Sequence, residues 1–432
     1  PIRLSLPRLS LITGLLFMQA CGFMQVEINQ LANSLEKNGA EKTLTALEKI
    51  TPPDRDRVQY LMNRGTLKIL TGDREGASSD LEDAKQLSRA LASSSLSENF
   101  SAATINETLR SFVGSPSERV ILHSMLALNY LGQGDLLGAR VEILQADITM
   151  RQLEKAESNR GQLASINYLA GVIYELNNEY DNAMISYRRA AQLVDARGYE
   201  IPQALADSLL YISQRNGLKQ QYSQYQKRFN RSATPLNSGE RDIFVFYSDG
   251  VVSHKRQHFL SVYSFQLNQN IALALPYYPP SQYRPSQLLF STEGRDTRTE
   301  SLESVDQLVR EDLDAEMPAI TAMTLARGVA KYQAVNQAQR KDDIAGLLLN
   351  LATTFSETAD RRSWNMLPAN LQVARFRASE DKPIYLQDGS LIDEHNQHHQ
   401  FAVIHFKQGQ SSVILASSIS LPAPSTLTRI AR

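Results

Sequence analysis

The chain has 432 residues, material for two or three domains, with 42% hydrophobic and 21% charged residues, as in ordinary globular proteins. A formal net charge of −1 supplies no basic field toward nucleic acid or anionic lipid, and a single cysteine excludes an internal disulfide and a cysteine-rich zinc module. No apolar run reaches the ~18 residues that a membrane-spanning helix needs.

The N-terminus reads as an address. Arg3 and Arg8 are a short positive region, and Leu11 to Met18 is an apolar core too short to span a bilayer. It runs into Met18-Gln19-Ala20-Cys21, a small residue directly before the sole cysteine. This resembles a bacterial lipobox. The resemblance implies removal of residues 1–20, acylation of Cys21, and, with Gly22 rather than Asp next, an outer-membrane destination. Several acyl chains hold firmly where one holds marginally, at ~0.8 kcal/mol per buried methylene.

Three stretches then repeat a pattern. Gly65, Gly72-Asp73, Ala77, Leu81 and Ala84 recur as Ala127, Gly134-Asp135, Ala139, Ile143 and Ala146. They recur again as Gly171, Asn178-Glu179, Ala183, Tyr187 and Ala190. Leu31, Gly39, Thr43, Leu47 and Ile50 form a degenerate earlier copy. The pattern looks like the tetratricopeptide (TPR) repeat, in which a small residue and two alanines let paired helices pack closely across a Gly/Asn turn. The stretch from Gln86 to Ser117, with Gly114-Ser115-Pro116-Ser117, reads as a polar insert. Residues 202–230 read as a closing helix pair. Residues 230–239 are linker-like.

Beyond them the periodicity changes. Strands are expected at Ile243–Tyr247, Phe259–Phe265, Ile271–Leu275 and Gln287–Ser291. A helix over Val305–Gln339, kinked or split at Pro318, and a buried helix over Ile344–Phe355 follow. Strands resume at Leu371–Phe376, Ile384–Leu386, Phe401–Phe406 and Ser412–Leu415. The expected architecture is an address over 1–20, a TPR-like array over 21–232, and an α+β domain with a mainly antiparallel sheet over 240–420.

Leu126 to Leu131 with Gly134-Asp135 and Gly138 to Glu142, and Ala359 to Trp364 with Leu367 to Arg375, resemble uncharacterised TPR-bearing lipoproteins of Gram-negative bacteria. The resemblance implies no enzymatic activity.

Few residues suggest chemistry. His395, His398 and His399 have imidazoles for a metal, but a solvated hairpin is the favoured reading. Glu311, Asp312, Asp314 and Glu316 read as a solvated helix face. Arg361, Arg362 and Trp364 are either a partner-binding corner or a turn whose Trp fills the core, and the second is favoured. Tyr277 to Pro280 reads as a strand end. No phosphate loop, nucleophile elbow or dinucleotide fingerprint is present. No cofactor and no metal is expected.

The partner site is expected on the inner helices of the repeats. By resemblance to TPR arrays, Ile121, Ser124, Leu128 and Leu131, then Ser165, Tyr168, Val172 and Glu175, form one stripe lining a groove. Either the stripe binds a periplasmic or outer-membrane protein, or the rest of the chain covers it. The functional expectation is an outer-membrane-anchored adaptor for a cell-envelope or secretion assembly, with no nucleic acid partner. The alternative is an envelope enzyme with its site in the C-terminal domain.

Overall fold

A computed structural model of the chain describes residues 25, 27–94, 110–155, 160–264, 269–339, 358–386, 391–392 and 403–419. Cys21, the helix expected over 344–355 and the His395 cluster lie outside these residues.

The first half is helical. A helix over residues 27–38 (α1) is followed by α2 (Ala40–Leu47), with Gly39 at φ 79° between them. Four hairpins follow: α3 (Arg57–Thr71) with α4 (Arg74–Ser94), and α5 (Pro116–Gly132) with α6 (Leu136–Lys155). Next are α7 (Ala164–Leu176) with α8 (Tyr180–Ala196), and α9 (Gln203–Arg215) with α10 (Lys219–Phe229). The chain reverses where left-handed backbone is cheap: Gly72, Gly134, Asn178 and Gly217 all have positive φ. Helix contacts are close because side chains are small. A Cβ on Gly171 would stand 2.4 Å from the Tyr187 ring, and one on Gly65 2.7 Å from Leu81. Ala77, Ala84, Ala139, Ala146, Ala183 and Ala190 are all fully buried. α10 buries no residue and closes the series with a polar face.

The second half is a mixed sheet structure. β1 (Glu240–Asp249) lies mid-sheet in the order β10-β11-β1-β7-β6, built with β6 (Glu300–Ser304), β7 (Asn370–Ser379), β10 (Val403–Gln408) and β11 (Ser411–Ser417). Only the β1–β11 pairing is parallel. Alternate β1 residues serve two cores, as a period of two requires. Phe244 and Phe246 face the helices, whereas Ile243, Val245 and Tyr247 face Leu288, Phe290, Ile384 and Leu386. The latter come from or adjoin a smaller sheet of β4 (Leu289–Thr292), β5 (Arg295–Arg298), β8 (Ile384–Leu386) and β9 (Leu391–Ile392). A ribbon of β2 (Arg256–Ser264) and β3 (Gln269–Tyr277) packs through Leu273 and Leu275 onto α11 (Val305–Gln339). α11 runs through Pro318 as one helix, not two.

The change of character near residue 240 is as expected, but the two halves share one core. Leu126, Tyr168 and Leu205 of the helices belong to the same apolar cluster as Phe244, Val373, Trp364 and Val413.

Candidate binding surfaces at and beyond the seam

The inner stripe is not an open groove. Ile121, Ser124, Leu131, Ser165, Tyr168, Val172 and Glu175 are buried, and only Leu128 keeps partial exposure. The chain's own second half fills the space expected for a partner. The Tyr168 ring lies 5.6 Å from Tyr187 and 5.9 Å from Phe246 of β1. β1 therefore covers this side of α7.

Glu175 has become half of a buried ion cluster. Arg375 of β7 donates to Glu175 Oε1 at 2.7 Å, to Asp242 Oδ2 at 2.5 Å and to Ser208 Oγ at 2.8 Å. Tyr187 Oη donates to Glu175 Oε2 at 2.7 Å, and the Phe244 ring stands 4.5 Å from the guanidinium. Burial opposes the charge on Arg375, but the Asp242 and Glu175 carboxylates outweigh it and hold the pKa well above its ordinary value. One residue thus ties α7, α9, β1 and β7 together.

The carboxylate run is solvated as expected except at Asp312. Asp312 is buried and accepts the Ser117 N–H at 2.9 Å, in the first turn of α5. Glu303 does the same for Ser165 of α7 at 2.9 Å, and Glu300 for Gln203 of α9. Carboxylates from the second half therefore satisfy free N–H groups at three helix starts, where the helix dipole favours negative charge. Of the run, only Glu316, paired with Arg160, and the exposed Glu311 and Asp314 keep contact with solvent.

Residues 359–369 cross the helices as a strap. Trp364 is fully buried, so the core reading of this corner holds. Its backbone N–H donates to Glu118 Oε1 at 2.6 Å, and its indole Nε1 donates to Thr66 Oγ1 at 2.8 Å. Met366 N–H donates to Asn63 Oδ1, Asn365 Nδ2 to Asn29 Oδ1, and Gln59 Nε2 to the Ser363 carbonyl. Arg362 binds Asp56 at 2.8 Å, Asp360 and the Arg110 carbonyl. Side-chain amides of α1 and α3 read the strap's backbone and Asn365 much as a groove reads a bound peptide. Gln25 joins them, donating to the Arg361 carbonyl at 3.2 Å.

Among the described residues, β2 exposes Phe259, Leu260, Val262 and Tyr263, and two further apolar surfaces stay open on the helices and at the seam. One is a slot between α3, α5, the strap and the C-terminal ends of β1 and β11, lined by Ile69, Leu128, Phe246, Met366, Leu415 and Ile419 among others. It keeps the only part of the predicted stripe that solvent reaches. The other lies on the outer side of α6. Leu137, Val141, Leu144 and Ile148 are 72%, 49%, 38% and 54% exposed. Their 4-3-4 spacing places them on one helix face, opposite the buried Ala139, Ile143, Ala146 and Met150. The sequence carried this signal, but the alanine pattern drew attention to the opposite face.

No protein-family model matches the chain. No curated protein matches it either. A similar solved structure is the crystal structure of BtubC (BKLC) from P. vanneervenii. It is 17% identical over 46% of this chain and 78% of that one, with a TM-score of 0.29. A likeness of that size carries no argument about this chain.

Proposed function

We propose that the protein is a lipid-anchored adaptor of the bacterial outer membrane, built on a TPR-like array, that docks a partner helix on the outer face of α6. The exposed row Leu137, Val141, Leu144 and Ile148 carries this reading. An apolar row repeating at three and four residues over about 16 Å suits the apolar face of a second helix. Such a row on a folded surface marks an interaction site. Its charged neighbours are already paired within the protein, Arg140 with Glu179 and Asp147 with Arg151. A partner therefore need not supply their counter-charges. The lipobox resemblance supports the anchor, and the buried glycine and alanine positions of the hairpins support the repeat reading. Gln25 is tied to the strap, and four residues of chain span at most about 14 Å. Acylated Cys21 would hold that end of the molecule close to the bilayer.

The test combines two variants. Cys21→Ser lacks the thiol that is acylated, so it is expected in the soluble periplasmic fraction while the wild type fractionates with outer membrane. Val141 and Ile148 are about half exposed, so Val141→Asp with Ile148→Asp should shift urea unfolding by no more than about 1 kcal/mol. In-cell cross-linked complexes of the wild type should disappear. Complexes that persist in the double variant refute docking on α6, and membrane retention of Cys21→Ser refutes the anchor.

A further inference from the structure

The slot at the seam has the composition of a ligand site. Ile69, Leu70, Leu128, Phe246, Leu415 and Ile419 are half-buried apolar side chains whose remaining surface lines one space. The space closed off from solvent is small, about 70 Å³, so a ligand seats only part of its length in the slot and leaves the rest at its mouth. Its one charged lining residue is Arg74, at the start of α4. Arg74 Nη1 donates to Asn129 Oδ1 at 3.1 Å. No carboxylate among the described residues lies within ion-pair distance of it. The guanidinium lies against the last turn of α5, where Gly132 leaves room: a Cβ there would meet Nη1 at 2.3 Å. Burial draws the Arg74 pKa down to about 10. A guanidinium has five N–H donors in a fixed fork, and a desolvated cation with no counter-charge is costly. The other buried arginines of the seam, Arg362 and Arg375, each have two carboxylates.

We propose that the slot binds a single-chain amphiphile with an anionic head, its hydrocarbon against Leu128, Phe246 and Leu415 and its head group on Arg74. A carboxylate or phosphate there gains charge-assisted, bidentate hydrogen bonds in a partly dry site. Thr66, Ser248 and Ser417 are the hydroxyls among mostly apolar walls, which suit hydrocarbon better than a polar ligand, and a neutral chain leaves Arg74 without a counter-charge. This site is separate from the α6 face and stands whether or not α6 docks a partner.

Trp364, the sole tryptophan, is a built-in reporter, because its indole donates to Thr66, which lines the slot. The unacylated full chain (Cys21→Ser) is titrated with dodecanoate, dodecyl phosphate and dodecanol below their micellar concentrations. Trp364 fluorescence and calorimetry follow binding. The expected result is saturable one-to-one binding of both anions, with dodecanol at least tenfold weaker. Arg74→Gln should lower anion affinity at least tenfold, and Arg74→Lys should lower it less. Leu128→Trp, which fills the slot, should abolish binding by calorimetry with the melting temperature retained. If Arg74→Gln does not fold, the dodecanol comparison and Leu128→Trp still decide. The ratio of carboxylate to phosphate affinity separates a fatty acid from a lysophospholipid. Non-saturable uptake, equal binding by Leu128→Trp, or dodecanol binding as tightly as dodecanoate would overturn the proposal. Preference for a tetrapeptide ending in leucine over dodecanoate would overturn it in favour of a peptide site.

Discussion

Arg375→Ala is expected to destabilise the protein by roughly 3–5 kcal/mol, because it leaves Glu175 and Asp242 buried without their shared cation. The cost comes from the stranded carboxylates more than from the lost attraction. Replacing all three residues together, Arg375→Met with Glu175→Met and Asp242→Leu, should therefore recover most of the stability. Burial already raises the Glu175 carboxyl pKa and Arg375 opposes that rise, so in Arg375→Ala Glu175 sits further above its unfolded value. Such a group penalises folding above the unfolded pKa, and the penalty fades as pH falls and it takes up a proton. Urea unfolding at pH 8 and pH 5 should show the larger deficit at pH 8. A deficit below about 1 kcal/mol at both would mean that the cluster does not hold the halves together.

Trp364→Ala is expected to cost a similar ~3–5 kcal/mol, the usual price of truncating a fully buried aromatic side chain. Two effects add. The indole leaves a cavity between the strap and the inner helices, and Thr66 Oγ1 loses its donor. Trp364→Phe keeps most of the packing but not the hydrogen bond, so a loss of ~1–2 kcal/mol is expected. Chemical unfolding followed by circular dichroism measures both. A Trp364→Ala protein as stable as wild type would place the strap outside the core.

The helices and most strands were legible because their signals are local. The β-branched and aromatic run Ile243–Tyr247, stopped at Asp249-Gly250, marked β1, and the spaced glycines and alanines marked the hairpins. One local signal was overlooked. Ser115-Pro116-Ser117, read as the end of a polar insert, starts a helix, with Pro at the first turn and a reciprocal capping box between Ser115 and Glu118. What the sequence did not show was pairing across the seam. Arg375 lies 200 positions from Glu175, and nothing in either neighbourhood names the other. Asp312 lies on a helix that looks solvated by composition, yet a helix start approaches it from the other half. The stripe residues fall within α5 and α7. The stripe's occupant was the open question, and the occupant is the protein's own sheet and strap. The α6 row was readable by spacing alone, since Leu137, Val141, Leu144 and Ile148 recur at 4-3-4 on the face away from the alanines.

The most direct test is site-specific photo-cross-linking in cells, with one photoreactive residue at Val141, Ile148 or Leu128. Val141 and Ile148 sit on the outer face of α6, and Leu128 sits in the slot behind the filled groove. The adaptor reading predicts a discrete protein adduct from Val141 and Ile148 and no protein adduct from Leu128. A protein adduct from Leu128 with none from the α6 positions would contradict it, because a partner would then occupy the inner face that the chain's own sheet fills here.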